Sequence, residues 1–119
     1  MRSVRQTAIL LAVILNRSEQ TRARLSGKSI KVLGRRKNLR SAFVVSLTEA
    51  LLDYDWVLCE LGSGAFGAIA AKTLEAAKPV TAKRGLTDDE RRDLRRDDLN
   101  WSAFEKEADP EQEDPSDDE

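Results

Sequence analysis

The chain has 119 residues, 40% of them hydrophobic and 34% charged, which is about one domain's worth of soluble globular composition and excludes a large multidomain enzyme or a fibrous chain. Its formal charge of −1 conceals a gradient: residues 1–40 hold 11 bases and one acid, residues 41–84 four and five, and residues 85–119 five and 15. A basic head suits an anionic partner, and an acidic tail suits solvation or a basic one.

There is no histidine and a single cysteine, Cys59. Catalysis by Ser-His-Asp or Cys-His is thereby excluded, and a zinc site lacks its usual ligands, so no enzyme, cofactor or metal is expected. One cysteine cannot close an internal disulfide, which places the chain in a reducing compartment, by default the cytoplasm.

In chain order, Val4, Ala8, Leu11 and Leu15 fall at helical spacing, widened by Ile9, Val13 and Ile14, and predict a helix over residues 4–24. Arg2 and Arg5 ahead of the apolar run have the look of a secretory leader. The run from Ala8 to Leu15 is too short to cross a bilayer, which takes about 20 residues, and no cleavage site follows it. No membrane association is expected.

Ser26 predicts the cap of a short second helix with Ile30 and Leu33 inward, closed by Gly34 in the left-handed conformation. Asn38 predicts the cap of a third, where Leu39, Phe43, Leu47, Leu51 and Tyr54 repeat at four, four, four and three. Trp56–Leu61 is rich in strand formers, and Gly62-Ser63-Gly64 supplies a turn. Residues 65–71 fit either a returning strand or a helix; Gly67 weakens a helix by about 1 kcal/mol, which favours the hairpin. Pro79–Ala82 can add a short extended piece. Thr87, followed by Asp88-Asp89-Glu90, opens a charged helix, and Trp101 and Phe104 either fold back or stay exposed. Residues 108–119 are predicted to be disordered, because Asp, Glu, Pro, Ser and Gln cannot bury enough apolar surface to offset chain entropy.

Gly62-Ser63-Gly64-Ala65-Phe66-Gly67 is a literal G-x-G-x-x-G and resembles both the protein-kinase glycine loop and the dinucleotide fingerprint. Only 52 residues follow Gly67, without His-Arg-Asp or Asp-Phe-Gly, which excludes a kinase. The dinucleotide fold needs several parallel strands where one convincing strand is found, so a tight hairpin turn is the preferred reading and a compact nucleotide binder the third hypothesis.

The basic cluster is the stronger functional signal. Lys28, Lys31, Arg35, Arg36, Lys37 and Arg40 gather in the second helix, the turn and the start of the third, where cations and helix amides can meet phosphate. Ser41, Val45 and Thr48 lie on another face from Leu39, Phe43 and Leu47 and can point into a groove. The competing reading is a solvated charge run.

Across residues 4–83 the order of a long helix, a short helix, an amphipathic helix and a strand–glycine turn–strand resembles the winged helix-turn-helix family. The resemblance implies an α+β, mainly helical fold, three helices plus a β-hairpin wing, with a third helix that enters the major groove of duplex DNA. Carried over, Asn38, Arg40, Ser41, Val45 and Thr48 face bases and Arg35, Arg36 and Lys37 face phosphate, with Lys83 and Arg84 on the wing side. The wing tip Gly62-Ser63-Gly64-Ala65 departs from the pattern in having no base, which leaves packing or a protein partner as its contact.

The expected organisation is a winged-helix domain at 1–84, a charged helical extension at 85–107 and the acidic tail at 108–119. The expected function is a DNA-binding transcriptional regulator or accessory factor. A protein–protein interaction module of the same fold is the alternative. The wing or the acidic tail can recruit a protein, the tail can lie across the basic face, and the apolar first helix can face a second copy.

Overall fold

A computed structural model describes residues 1–111, so the predicted tail lies outside the described residues from 112 on. The first unit of the chain covers Met1–Ala77 and the second begins at Lys78. Helix α1 spans Val4–Arg17 and starts at a capping box, in which Ser3 Oγ accepts from the Gln6 amide and Gln6 Oε1 accepts from the Ser3 amide, both at 3.1 Å. It ends seven residues before the predicted limit of 24. Ser18 Oγ donates to the Leu15 carbonyl and accepts from the Gln20 amide, Glu19 takes a left-handed φ of 60°, and the chain leaves the helix.

Arg22–Leu25 then forms a strand, β1, in place of the last helical turns. Ala23 and Leu25 are half-buried while Arg22 and Arg24 are exposed, the period-two alternation of a strand with one wet face. Helix α2, Gly27–Gly34, is capped by Ser26 as expected. Its closing residue is Arg35, with φ 51° and ψ 49°, not Gly34. Gly34 is the last helical residue and packs on α1, where a Cβ would sit 3.4 Å from Thr7 Oγ1. Helix α3 spans Ser41–Leu52 and begins two residues later than an Asn38 cap would place it, with Arg40 at the cap position. Leu39 packs against the core from the preceding loop.

Trp56–Glu60 (β2) and Phe66–Ala70 (β3) form the expected hairpin, so residues 66–70 are strand. Gly64 has φ 84°, the left-handed turn position that a glycine occupies without strain. The sheet is antiparallel in the order β1-β3-β2, pairing Ala23 with Ala68 and Leu58 with Ala68 across the central strand. A short α4, Ala71–Glu75, follows. The core lies between the helices and one face of the sheet: Ala8, Leu11, Ala12 and Leu15 of α1, Ile30 of α2, Phe43, Leu47 and Leu51 of α3, and Trp56, Leu58, Phe66, Ala68 and Ala70 of the hairpin. Trp56 Nε1 donates to Asn16 Oδ1 at 3.0 Å, which satisfies the indole at the edge of that core.

The second unit is helical where it is described. Pro79–Ala82 forms no strand; Thr81 instead caps α5, Ala82–Gly85. The predicted charged helix is α6, Asp88–Arg96, with a Thr87–Glu90 capping box. Helix α7, Trp101–Ala108, leaves Trp101 exposed and half-buries Phe104 beside Leu99. The described chain is thus α+β and mainly helical, and none of its helices is long and apolar enough to cross a membrane.

Leu47 is fully buried and Val45, on the same helix, is 57% exposed. Leu47→Ala is expected to cost about 2–5 kcal/mol in urea denaturation and Val45→Ala about 0.5 kcal/mol or less.

Candidate nucleic-acid interface

The basic turn is built by the way α2 ends. The Arg36 amide donates to the Lys31 carbonyl at 2.9 Å and the Arg35 amide to the Val32 carbonyl at 3.2 Å, the doubled closure of a left-handed helix stop. The chain therefore reverses within two residues and runs through Lys37–Arg40 into α3. Arg35, Lys37, Asn38 and Arg40 are exposed, and with Arg36 and Met1 they line an open concavity of about 530 Å³.

These cations sit at the amino end of α3, whose cap residue Arg40 makes no side-chain capping bond and whose first turn holds no acid. Unsatisfied amides and the positive end of the helix dipole add to the side-chain charge. Ser41 and Val45 are exposed on the outward side of this helix, opposite the buried Phe43, Leu47 and Leu51. Thr48 is half-buried and its hydroxyl donates to the Val44 carbonyl at 2.8 Å, so toward any ligand it acts only as an acceptor. Lys28 is exposed on α2 and Lys31 half-buried.

Arg36 differs from its neighbours. Its guanidinium lies 3.7 Å from the centroid of the Phe43 ring, and Nη2 donates to the Arg2 carbonyl at 3.1 Å. Its Nε is buried and has no partner among the described residues. Arg36 thus spends its planar face and part of its donor edge inside the protein, unlike the phosphate-facing role that the resemblance implies. Arg2 completes the arrangement: its amide donates to the Gly34 carbonyl at 2.9 Å and its Nη1 to Leu33 at 3.0 Å and Val32 at 3.4 Å, closing the carbonyl end of α2 with a cation.

The hairpin tip stands beside this surface. Gly64 O lies 3.5 Å from where a Cβ on Gly27 would be, and Lys31, Leu39, Ser41 and Glu60 share a shallow groove with Gly27 and Gly64. The hairpin thus contributes a carboxylate there and no cation. Gly62 and Gly64 connect two antiparallel strands, Gly67 lies within β3, and the next helix begins only at Ala71, so the three do not form the strand-to-helix loop of a dinucleotide site. Lys83 and Arg84 belong to α5 in the second unit. Two exposed cations escaped the sequence reading, Arg22 and Arg24 on β1; the Arg-Ala-Arg-Leu alternation was their signal. Among the described residues no group of three His, Cys, Asp or Glu side chains could hold a metal ion.

Because Arg36 is tied down and Lys37 is solvated, their removal should differ. Arg36→Ala is expected to lower stability by about 1–3 kcal/mol in chemical denaturation, from the lost stacking and hydrogen bond, and Lys37→Ala by less than about 0.5 kcal/mol.

No protein-family model matches the chain, and the curated proteins and solved structures give no match.

Proposed function

We propose that this chain is a winged helix-turn-helix protein that binds duplex DNA, acting as a transcriptional regulator or accessory factor in the cytoplasm, by binding alone and without catalysis. The observation that carries the reading is the exposure of Arg35, Lys37 and Arg40 on one turn, at the uncapped amino end of a 12-residue helix. Cations and free amides there converge on whatever anion approaches. The order α1, β1, α2, α3, β2, glycine turn, β3, with three helices ahead of a hairpin, supports the winged architecture. Asn38, Arg40, Ser41 and Val45 are then the groups nearest the base edges, with Thr48 as an acceptor.

A second reading, a protein–protein module of the same fold, has its own support. The hairpin carries Glu60 at the end of β2 and no base, and Ile9 and Ile14 of α1 are each 39% exposed. A protein partner on the hairpin, or a second copy on α1, would use those surfaces.

Fluorescence anisotropy on a duplex across a salt series separates the two. DNA binding should weaken steeply with salt, and the triple substitution Arg35→Ala, Lys37→Ala, Arg40→Ala should flatten the log–log slope by about 2.7, or 0.9 per phosphate contact. Arg36 is left intact so that the fold is not disturbed. No duplex binding at low salt, or a triple variant that binds like the parent, overturns the reading.

A further inference from the structure

Resting on the DNA-binding reading, we infer that Arg2 and Arg36 are positioning residues of the interface: they hold residues 35–40 in the shape that presents Arg35, Lys37 and Arg40, and meet no phosphate themselves. The bonds form a closed circuit. The Arg2 amide and guanidinium bind the last carbonyls of α2, at Gly34, Leu33 and Val32; the Arg2 carbonyl accepts from Arg36 Nη2; and the Arg36 guanidinium lies on Phe43 in the first turn of α3. The segment before α1, the end of α2 and the start of α3 are thus tied at one point, and the basic turn spans two of the three.

Charge alone cannot do this work. The Phe43 face takes a flat guanidinium, and the same group must also reach the Arg2 carbonyl; a lysine ammonium is a compact point charge on a flexible stem and does not do both. The buried, unpartnered Nε further separates Arg36 from a phosphate ligand, because that edge is closed to solvent. Arg35 and Lys37, on either side in sequence, are exposed. The three consecutive bases therefore divide into two that are exposed and one, half-buried, whose guanidinium is held by Phe43 and the Arg2 carbonyl.

The test is a salt titration of duplex binding by Arg36→Lys, Arg2→Gln and Phe43→Leu, each checked for folding by its denaturation curve. Positioning predicts that charge-conserving Arg36→Lys and uncharged Phe43→Leu lower affinity about tenfold alike, with the log–log slope unchanged, and that the double variant is no weaker than either single one. Arg2→Gln should behave in the same way and serves if Arg36→Lys does not fold. If instead Arg36→Lys keeps full affinity, or Arg2→Gln flattens the slope by about 0.9, the residue is a phosphate ligand and the inference is overturned. Failure of the parent protein to bind any duplex overturns the functional reading itself, an outcome distinct from either of these.

Discussion

Everything in the first unit depends on one face of α1. Thr7, Ala8, Leu11, Ala12 and Leu15 are all buried, and three of these five side chains are small. Small residues let neighbouring helices approach closely, while Leu11 and Leu15 supply apolar bulk worth about 1.5–3 kcal/mol each on burial. Gly34 of α2 packs on this face, where a Cβ would sit 3.4 Å from Thr7 Oγ1. Gly34 is the last helical residue, and the left-handed closure falls on Arg35, where a side chain tolerates it less well than glycine. Packing on α1 thus reaches the end of α2, and the stop decides where the basic turn points.

The same turn shows how one residue type serves two ends. A guanidinium is planar and weakly hydrated, so it can lie on an aromatic ring while donating in its own plane. Arg36 does both, and Arg2 uses the same fork to close a helix end. Neither residue is fully buried, and neither forms an ion pair among the described residues. Both are bound to carbonyl dipoles and a ring face, which keeps their positive charge uncompensated near the outward cations. The turn therefore holds its shape without neutralising its own field.

Much of this fold was legible because its signals are local. Ser26 and Thr87 cap helices where their spacing predicts, and the Gly64 turn joins strands as its composition suggests. What was not legible depends on residues far away in sequence. Arg, Ala and Leu favour a helix, so Arg22–Leu25 reads as more of α1 until β3 offers it a ladder. Asn38 makes a sound cap in isolation, yet burying Leu39 keeps that stretch as loop and delays α3 to Ser41. The basic cluster was visible as composition. Its division into half-buried Arg36 and exposed Arg35 and Lys37 was not, since all three bases look alike until Phe43 and Arg2 are brought beside one of them.

Acids set the limits of that field. Glu49 is exposed on α3, eight residues beyond Ser41 and so about 12 Å along the axis, and Glu60 stands in the groove beside Ser41. At 0.1 M salt, charges more than about 10 Å apart hardly feel one another. An anion arriving at the amino end of α3 therefore meets Arg35, Lys37 and Arg40 largely free of Glu49, while one sliding toward the carboxyl end or the hairpin meets a carboxylate. The attractive surface centres on the basic turn, and where it meets the hairpin at Ser41 it is bordered by Glu60. A net charge of −1 for the whole chain is compatible with local attraction for this reason: the sum counts every charge equally, whereas the field at the turn is set by the charges within about a Debye length of it.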